Sequence, residues 1–534
     1  MNGMKIFNLS MLLLGGAWAL PGGEPEWTTV FADSVWSDRE IAAHAEAAPP
    51  VLVAARGEVE HLQIRLTITP ERLARGTTLL TMPFVKVDWG EFTGPDGVVL
   101  PREAGSFRTV GLNGTVGGDV LIPVDRVLLR DDRPTDNYFT VKVPESAVPG
   151  LYRTALTLTG DDFAAEIPIE LEVLDAAVPR VPTYPSVVTV TSIPLAPLWW
   201  LEPGSPEVAD KVAEYIRFLL DYRFCPYAEG GGPMMMTGSP WPWYDERSRE
   251  LLADERYTHV MVPFYRDSAR LLDPANYDPE ELRRNLAAIR AAGKTGIFYI
   301  ADESTTEEMY RRIKAVMAVI DREAPDCYTL NTFFIGAGEQ HTPEGFRKVH
   351  EAFTGERQIF CWGEYAWLGQ SDFAREFHAL LRPEKEQHWS YVCMGPGGDE
   401  PNLLFGMTGV QNRAVWWRAW QEEATGFLYW SANYQTLRDG GIHSNSGLPD
   451  GDGFLVYPGP YFGVPGLLAS TRLERWRDGA EDVELLIQVE RRHGRETARA
   501  LLDEFYRSPA ETNSFFPGSE ALRQFKRRAA ELLK

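Results

Sequence analysis

The sequence predicts a multidomain protein: an N-terminal antiparallel β-sandwich, then a (β/α)8 TIM barrel, then a C-terminal helical extension. Three observations support this fold class. Residues 27–178 alternate apolar and polar side chains, residues 186–430 contain eight short apolar runs, and helical stripes follow residue 478. A chain of 534 residues with 44% hydrophobic side chains is also too long for one ordinary core. We predict a signal peptide at 1–19, the sandwich at 20–178, the barrel at 179–478 and a helical segment at 479–534.

The first 19 residues have the pattern of a secretory signal peptide. Lys5 supplies the positive start, a mostly apolar stretch runs from Ile6 to Leu14, and Ala17-Trp18-Ala19 fits the cleavage pattern. The apolar stretch is too short to span a bilayer. We therefore expect a secreted or periplasmic protein with no integral membrane segment after signal removal.

The sandwich is predicted from strands with one buried face. Three stripes alternate with polar residues: Leu62, Ile64, Leu66 and Ile68; Tyr152, Thr154, Leu156 and Leu158; and Ile167, Ile169, Leu171 and Val173. Turn signals such as Gly94-Pro95-Asp96-Gly97 separate the strands. The prolines Pro179, Pro182 and Pro185 then mark a stiff linker and a domain boundary.

The barrel is predicted from the spacing of apolar runs. We expect its strands near 186–192, 224–229, 259–264, 296–301, 328–333, 357–362, 387–393 and 425–430. Helical patterns fill most gaps, including Val208–Leu220 and Thr305–Ile320. The segment after the second strand contains Gly230-Gly-Gly-Pro233 and is expected to form a long loop over the site. The stripes after residue 478 are expected to be helices that pack on the barrel.

Composition excludes some classes of partner. A net charge of −23 and a pI of about 4.9 disfavour nucleic acid and anionic membranes. The 16 Trp residues fit a sugar-binding cleft or a large aromatic core equally well. The cysteines match no zinc or redox spacing and are expected to be buried thiols. No His pair has metal-ligand spacing and no phosphate loop is convincing, so we expect neither metal nor cofactor.

The fourth apolar run stops at two adjacent carboxylates, Gly296-Ile-Phe-Tyr-Ile-Ala-Asp-Glu303. Adjacent acidic residues are common by chance, but this pair directly follows a buried strand. Catalytic groups of such barrels lie at the C-terminal ends of the strands. Asp302 and Glu303 are therefore the candidate catalytic pair, and they suggest cleavage of a glycosidic bond.

Polar and aromatic residues at other strand ends are expected to converge on the same mouth. Each of these residues taken alone is better explained by packing, so the prediction rests on their convergence. The candidates are Glu229, Asn331, Trp362, Glu364, Tyr365, Trp389, Tyr391, Trp430 and Asn433. Of these, Asn331, Trp362, Trp389, Tyr391, Trp430 and Asn433 are predicted to bind substrate.

Several longer motifs follow one another in order: His388-Trp-Ser-Tyr-Val-Cys-Met-Gly-Pro396, Arg413, Gly426-Phe-Leu-Tyr-Trp-Ser-Ala-Asn433, Gly451-Asp-Gly-Phe-Leu-Val-Tyr-Pro-Gly459 and Ser470-Thr-Arg-Leu-Glu-Arg-Trp-Arg-Asp-Gly-Ala-Glu-Asp-Val-Glu-Leu485. This ordered set resembles the catalytic domain of glycoside hydrolase family 123. The resemblance covers roughly residues 185–490. Residues 57–63 and 143–152 also resemble the N-terminal sandwich of that family.

The resemblance implies an exo-acting β-N-acetylgalactosaminidase that retains configuration through the 2-acetamido group of its substrate, an exception to the two-carboxylate scheme. Asp302 would polarise the acetamido N–H, and Glu303 would serve as acid and then base. Related sequences often have Pro where this chain has Ser304. Arg413, Arg472 and Asp478 also lie in the motifs, where structural ion pairs would explain them.

Two alternatives stay open from the sequence. Glu303 could act with Glu364 or Glu229 as a separate nucleophile, on a sugar without an acetamido group. The barrel could also bind carbohydrate without cleaving it, since fold does not fix function. In each case the expected partner is a glycan or glycoconjugate, and the sequence does not reveal the oligomeric state.

Overall fold

A computed structural model describes most of the chain. The described residues are 27–33, 44–71, 83–113, 117–130, 133–161, 164–192, 194–229, 242–333, 342–364, 371–438, 441–445, 447–506 and 519–534. The predicted signal peptide and the Gly230-Gly-Gly-Pro233 segment lie outside them. The chain divides into two compact units, unit 1 (1–112, 118–178 and 518–534) and unit 2 (113–117 and 179–517). None of the described helices is both long and apolar enough to cross a membrane.

Unit 1 contains the predicted N-terminal sheets. Their strands are β1 Trp27–Asp33, β2 Leu52–Arg56, β3 Val59–Ile68, β4 Phe84–Trp89, β5 Phe92–Thr93, β6 Val99–Leu100, β7 Gly105–Asn113, β8 Gly117–Pro123, β9 Arg126–Leu128, β10 Thr135–Lys142, β11 Gly150–Thr159 and β12 Ala164–Ala177. One sheet has the order β1-β3-β10-β7-β8, and the other has β2-β12-β11-β4-β9 with β5 and β6 alongside. The pairing is antiparallel except between β2 and β12, which run parallel.

The two sheets share one hydrophobic core, as the alternating stripes predict. Leu62 and Ile64 of β3 enter it from one sheet, and Leu156 of β11 and Ile169 of β12 enter it from the other. Thr154 is the member of the predicted stripes that stays only partly buried.

The last helix of the chain, α11 (Ser519–Leu533), belongs to unit 1 and packs against β2 and β12. The sequence analysis expected it on the barrel. The difference has a chemical cause, because the Lys526 ammonium is buried and pairs with the carboxylates of Glu58 and Glu60. A helical stripe identifies an amphipathic helix but not the surface that covers its apolar face.

Unit 2 contains the eight predicted barrel strands. They are β13 Ser186–Thr191, β14 Cys225–Glu229, β15 His259–Met261, β16 Thr295–Ala301, β17 Tyr328–Phe333, β18 Gln358–Gly363, β19 Glu386–Val392 and β20 Phe427–Tyr429. The helices of this unit are α1 Leu195–Leu198, α2 Pro206–Leu220, α3 Glu246–Ala253, α4 Pro279–Ala291, α5 Glu307–Glu323, α6 Pro343–Phe353, α7 Ser371–His378, α8 Gly409–Gln421, α9 Thr471–His493 and α10 Arg495–Asp503. Two hairpins follow β20, namely β21 Gln435–Arg438 with β22 Gly441–Ser444, and β23 Val456–Pro458 with β24 Leu467–Ala469.

The eight strands form one parallel sheet with the order β14-β13-β20-β19-β18-β17-β16-β15. The sheet is nearly closed, because its two end strands lie side by side. Side chains bridge them: the Tyr257 hydroxyl donates to the carbonyl of Pro226, and Cys225 Sγ lies 3.4 Å from Thr258 Oγ1. All four cysteines are free thiols; Cys225, Cys327 and Cys361 are buried, as expected, and Cys393 is partly exposed. The C-terminal ends of the strands therefore meet at one mouth.

Local capping fixes where the helix after β16 begins. The Thr306 hydroxyl accepts from the backbone N–H of Met309 at 3.2 Å and caps α5. The polar residues after Glu303 thus separate β16 from its helix.

Buried ion pairs hold the helices that follow β19 and β20. Arg413 of α8 makes a bidentate contact with Asp482 of α9, at 2.7 and 2.9 Å, and lies 3.4 Å from Asp478. The two helices approach closely at Gly479, where an added Cβ would lie 2.1 Å from the carbonyl oxygen of Arg413. Arg413 and Asp478 therefore form structural ion pairs, which is the explanation that the sequence analysis offers for them.

Most of the tryptophans described by the structure serve packing. The largest fully buried side chains include Trp243, Trp362, Trp389, Trp417, Trp420 and Trp476. High Trp content in this chain is thus mainly a property of its core, and only individual positions bear on a sugar site.

We predict that Asp482→Ala destabilises unit 2 by about 3–5 kcal/mol, because it leaves the buried guanidinium of Arg413 without its bidentate partner. Urea unfolding followed by Trp fluorescence measures the change, since several buried Trp residues report on this unit. Glu308→Ala is the control: it breaks the exposed pair of Glu308 with Arg311 and should cost less than about 1 kcal/mol. Equal effects of the two substitutions would contradict this role of Asp482.

Candidate active site

The chain leaves strand geometry at the acid pair. β16 ends at Ala301, and its pairing with β17 shifts register between Tyr299 and Ala301. Glu303 then has a φ of 45°, in the left-handed region that side chains larger than Gly seldom adopt. Adjacent residues of a regular strand point to opposite faces, so this turn allows the two neighbouring carboxyl groups to serve one site.

Thr332 of β17 holds this turn through both its backbone and its side chain. The backbone N–H of Glu303 donates to the Thr332 carbonyl and to Thr332 Oγ1, each at 3.1 Å. The same hydroxyl donates to Asp302 Oδ1 at 2.7 Å, and the Tyr299 hydroxyl donates to that oxygen at 3.1 Å. The Asp302 carboxylate is therefore fixed by two donors, while the residue remains partly exposed.

Glu303 is held from the opposite side of the mouth by Tyr391. The Tyr391 hydroxyl, on β19, donates to Glu303 Oε1 at 2.5 Å. Partial burial raises the pKa of Glu303; the Tyr391 hydrogen bond opposes this, and the nearby charge of Asp302 adds to the rise. A carboxyl group with a raised pKa can keep its proton at a higher pH and act as a general acid.

An aromatic side chain from the eighth strand end also lies in this part of the barrel. Trp430 directly follows β20 and is partly exposed, and its indole Nε1 donates to Asp452 Oδ1 at 2.6 Å. Burial raises the pKa of Asp452 to about 6, although the Trp430 hydrogen bond and the charge of Arg472 oppose the rise. Asp452 therefore fixes the orientation of the Trp430 ring.

The structure gives the two other candidate tryptophans packing positions. Trp362 is fully buried on the helix side of β18, with ring centroids 5.1 Å from Phe346 and 5.4 Å from Phe377. Trp389 is fully buried two residues before Tyr391, against Gly426, where an added Cβ would lie 2.4 Å from the indole. Neither ring has surface exposed for a sugar, so the expectation that they bind substrate is revised.

The two candidate asparagines are also buried, Asn331 in β17 and Asn433 in the segment that follows β20. Asn433 uses its amide on the backbone of Thr191, accepting from the N–H at 2.7 Å and donating to the carbonyl at 2.9 Å. Asn331 is 1% exposed, and by strand alternation it shares the face of Phe333, which packs on Phe353 of α6. Asn433 therefore ties the end of β20 to β13, and Asn331 lies on the side of β17 opposite Thr332.

The structure also places the two carboxylates proposed as separate nucleophiles. Glu364 is fully buried, and its carboxylate lies 3.9 Å from the Arg418 guanidinium of α8. Burial holds the pKa of Glu364 well above its usual range; Arg418 lowers it, and the charges of Glu422 and Glu400 raise it. Glu364 thus belongs to a buried charge cluster rather than to the mouth. Glu229 ends β14, but its side chain lies outside the described residues, as does Tyr365.

Three residues of this arrangement were missed by the sequence analysis, namely Thr332, Tyr299 and Asp452. Strand alternation contained a signal for Thr332. Once Phe333 is assigned to the helix side of β17, Thr332 must face the barrel interior. Asp452 lies in the quoted motif at 451–459, but that motif does not show that its carboxylate approaches Trp430, 22 residues earlier in the chain.

The fold and this acid pair fit a barrel enzyme of the glycoside hydrolase class, and comparison with known proteins matches part of the chain to one family of that class. Residues 280–489 match the model of the glycoside hydrolase 123 catalytic domain. The predicted resemblance to family 123 is thus confirmed over a segment that begins later than the expected residue 185 and includes Asp302, Glu303 and Tyr391. The match supports glycosidase activity on a glycan substrate.

Structural comparison agrees with the family match. A family 123 glycoside hydrolase from Clostridium perfringens, analysed for glycolipid glycan hydrolysis, superposes with a TM-score of 0.62 at 12% identity, covering 95% of this chain and 97% of that chain. At this identity the likeness shows the fold alone. None of the curated proteins matches this chain in sequence.

More distant structures are also similar in part. They include a glycosyl hydrolase family 2 member from Bacteroides cellulosilyticus (TM-score 0.23, 11% identity, 72% of this chain and 44% of that chain) and a β-D-glucuronidase from Dictyoglomus thermophilum (TM-score 0.28, 11% identity, 75% and 65%). At these TM-scores they carry no argument about this chain.

We predict that Tyr391→Phe moves the alkaline limb of the pH–rate profile to higher pH. The Tyr391 hydrogen bond favours ionised Glu303, so its removal raises the pKa of Glu303, and the acid keeps its proton to a higher pH. The maximal rate should fall by about tenfold, because a charge-assisted hydrogen bond is lost. The profile of kcat/KM against pH measures both effects.

Tyr328→Phe is the matched control, since Tyr328 lies at the start of β17 and its hydroxyl accepts only a long contact from Arg357 among the described partners. It should leave the pH profile unchanged. An alkaline limb that stays in place or moves to lower pH in Tyr391→Phe would contradict this role of Tyr391.

Proposed function

We propose that this chain is a secreted, retaining exo-glycosidase that hydrolyses terminal β-N-acetylgalactosaminides with the 2-acetamido group of the substrate as nucleophile. The observation that carries the proposal is the turn at Glu303. It makes the two adjacent carboxyl groups available to one sugar, with two hydroxyl donors on Asp302 and one on Glu303. The family match supports the reaction class.

In the first step, the acetamido carbonyl oxygen attacks the anomeric carbon while the bond from that carbon to the leaving oxygen breaks. Glu303 transfers its proton to the leaving oxygen. The Asp302 carboxylate accepts the acetamido N–H and stabilises the positive charge that develops on the ring formed by the acetamido group. Because Thr332 and Tyr299 fix this carboxylate beforehand, little reorganisation is needed when the charge appears.

In the second step, Glu303 is a carboxylate and acts as base. It takes a proton from water, the water oxygen attacks the anomeric carbon, and the acetamido group is restored. Two inversions give overall retention, and Glu303 ends the cycle protonated. The raised pKa of Glu303 suits the acid step, and the Tyr391 hydroxyl supports the ionised form that the base step needs.

Aromatic groups at the mouth would bind the sugar. Two candidates are carried forward: Trp430, which is partly exposed, and Tyr391, which is buried but donates to Glu303. Trp430 would offer its ring to the apolar face of the sugar, in the orientation that Asp452 fixes. Secretion rests on the signal-like residues 1–19.

We expect the purified mature chain to release 4-nitrophenol from the β-N-acetylgalactosaminide and not from the β-galactoside, because the latter lacks the acetamido nucleophile. Glu303→Gln and Asp302→Asn should each lower kcat/KM by about 10²–10⁴-fold, since each removes a group that acts in the transition state. A hydrolase that cleaves both glycosides equally would contradict substrate assistance, and full activity of either variant would contradict the assigned pair.

The competing mechanism, with Glu364 as a separate nucleophile, makes a distinct prediction. Burial favours the protonated form of Glu364, so glutamine is a close substitute, and Glu364→Gln should retain folding and most activity on our account. A thiazoline that mimics the cyclised acetamido intermediate should inhibit the wild-type enzyme. Loss of turnover in folded Glu364→Gln, together with no inhibition by the thiazoline, would favour the separate nucleophile.

A further inference from the structure

An exposed aromatic platform lies outside the acid pair. Trp200, which follows α1, is 66% exposed, and its indole stacks on the ring of Tyr461 with centroids 4.9 Å apart and planes 17° apart. Tyr461 covers one face of the indole. The high exposure of Trp200 therefore leaves its other face open to solvent.

The backbone of Trp200 is strained. Trp200 has a φ of 53°, and a bulky side chain in the left-handed region is a strained residue. Tyr461 lies in the short helical turn Gly459–Phe462. An added Cβ at Gly459 would lie 2.6 Å from the carbonyl oxygen of Val464, so this turn is tightly closed beneath the ring. Both residues are thus held in place rather than left free on the surface.

The platform belongs to the same end of the barrel as the acid pair. Trp200 lies in the connection after β13, and Tyr461 lies in the connection after β20, its neighbour in the sheet. The amide of Asn433 joins these two strand ends through the backbone of Thr191. Because loops after the strands of a parallel barrel emerge at its C-terminal face, the platform shares a face with Asp302 and Glu303.

Few other apolar side chains are exposed nearby. Among the described residues of unit 2, the large apolar side chains that are exposed are Trp200 and Met394, and Met394 also follows a strand end, that of β19. A stable protein partner needs roughly 800 Å² of contact on each side, far more than the free face of one indole provides. A single flat apolar ring suits a ligand of about its own size.

We infer that Trp200, supported by Tyr461, is a subsite for a second sugar ring of the substrate glycan, a pyranose beyond the terminal sugar that is released. The C–H face of a pyranose is flat and apolar, and it can cover the open indole face while its hydroxyl groups remain in water. This inference rests on the proposed function. It makes the enzyme selective for oligosaccharides over simple glycosides.

Binding to the inactive Glu303→Gln variant tests the subsite without turnover. The probes are methyl β-N-acetylgalactosaminide, with one ring, and a trisaccharide in which terminal β-N-acetylgalactosamine is linked to galactose and glucose. Calorimetry should show that adding Trp200→Ala weakens trisaccharide binding by about tenfold, as for truncation of an anchoring Trp, and leaves the methyl glycoside unchanged. Equal losses for both probes, or no loss for the trisaccharide, would overturn the inference.

Two further variants separate a ring contact from a folding effect. Trp200→Phe keeps a flat ring and should recover most of the trisaccharide affinity. Phe84→Ala removes an exposed aromatic side chain from unit 1 and should change neither affinity. Failure of Trp200→Phe to recover binding, in a variant with an unchanged unfolding midpoint, would count against stacking.

A glycan array distinguishes failure of the subsite from failure of the proposed function. If Glu303→Gln binds other oligosaccharides but no N-acetylgalactosaminide, the proposed sugar is wrong. The subsite still predicts that each bound oligosaccharide is weakened by Trp200→Ala. An array that is unchanged by Trp200→Ala, or one on which Glu303→Gln binds no oligosaccharide, would overturn the subsite.

Discussion

The clamp of Thr332 on the left-handed turn at Glu303 is the constraint on which the candidate site depends. In a regular strand, Asp302 and Glu303 would point to opposite faces, and only one could reach a ligand in the barrel. The turn removes this restriction but strains the backbone. Three hydrogen bonds with one threonine of the neighbouring strand stabilise the strained turn. The chemistry of the pair is therefore set by β17 as much as by β16.

Two buried arginines, Arg472 and Arg418, fix the loops near the other groups of the candidate site. Arg472 of α9 donates to the carbonyls of Leu403, Gly451 and Phe454, and so fixes the loop that carries Asp452 behind Trp430. Arg418 of α8 makes ion pairs with Glu364, after β18, and with Glu400, in the segment after β19. Glu364, which the sequence offered as an alternative nucleophile, is one of the buried acidic groups beside these loops. Burying a charge is costly, and the raised pKa of Glu364 is consistent with that cost.

The sequence predicted the architecture better than the site. Apolar runs and helical stripes located the eight strands and the main helices closely, because both patterns report burial directly. The acid pair was predicted because it directly follows a strand. The residues predicted to bind substrate were harder to assign from the sequence. Trp362 and Asn331 lie near strand ends but face the helices, and a position near the end of a strand does not determine which face its side chain occupies. Thr332 was missed because a hydroxyl that positions another residue has no motif of its own, and Asp452 was missed because its motif does not state which residue its carboxylate holds. The final helix was assigned to the barrel because an amphipathic stripe does not name its partner.

The most direct test of this account compares Thr332→Val with Thr332→Ser. Valine keeps the shape of threonine but removes the hydroxyl that contacts Asp302 and the Glu303 amide, whereas serine keeps the hydroxyl. If the clamp positions the pair, Thr332→Val lowers kcat by about 10–100-fold with little change in KM, Thr332→Ser stays near the wild type, and both variants remain folded. Wild-type kcat in Thr332→Val, or equal losses in both variants, would contradict the claim that this hydroxyl sets the geometry of the two carboxyl groups.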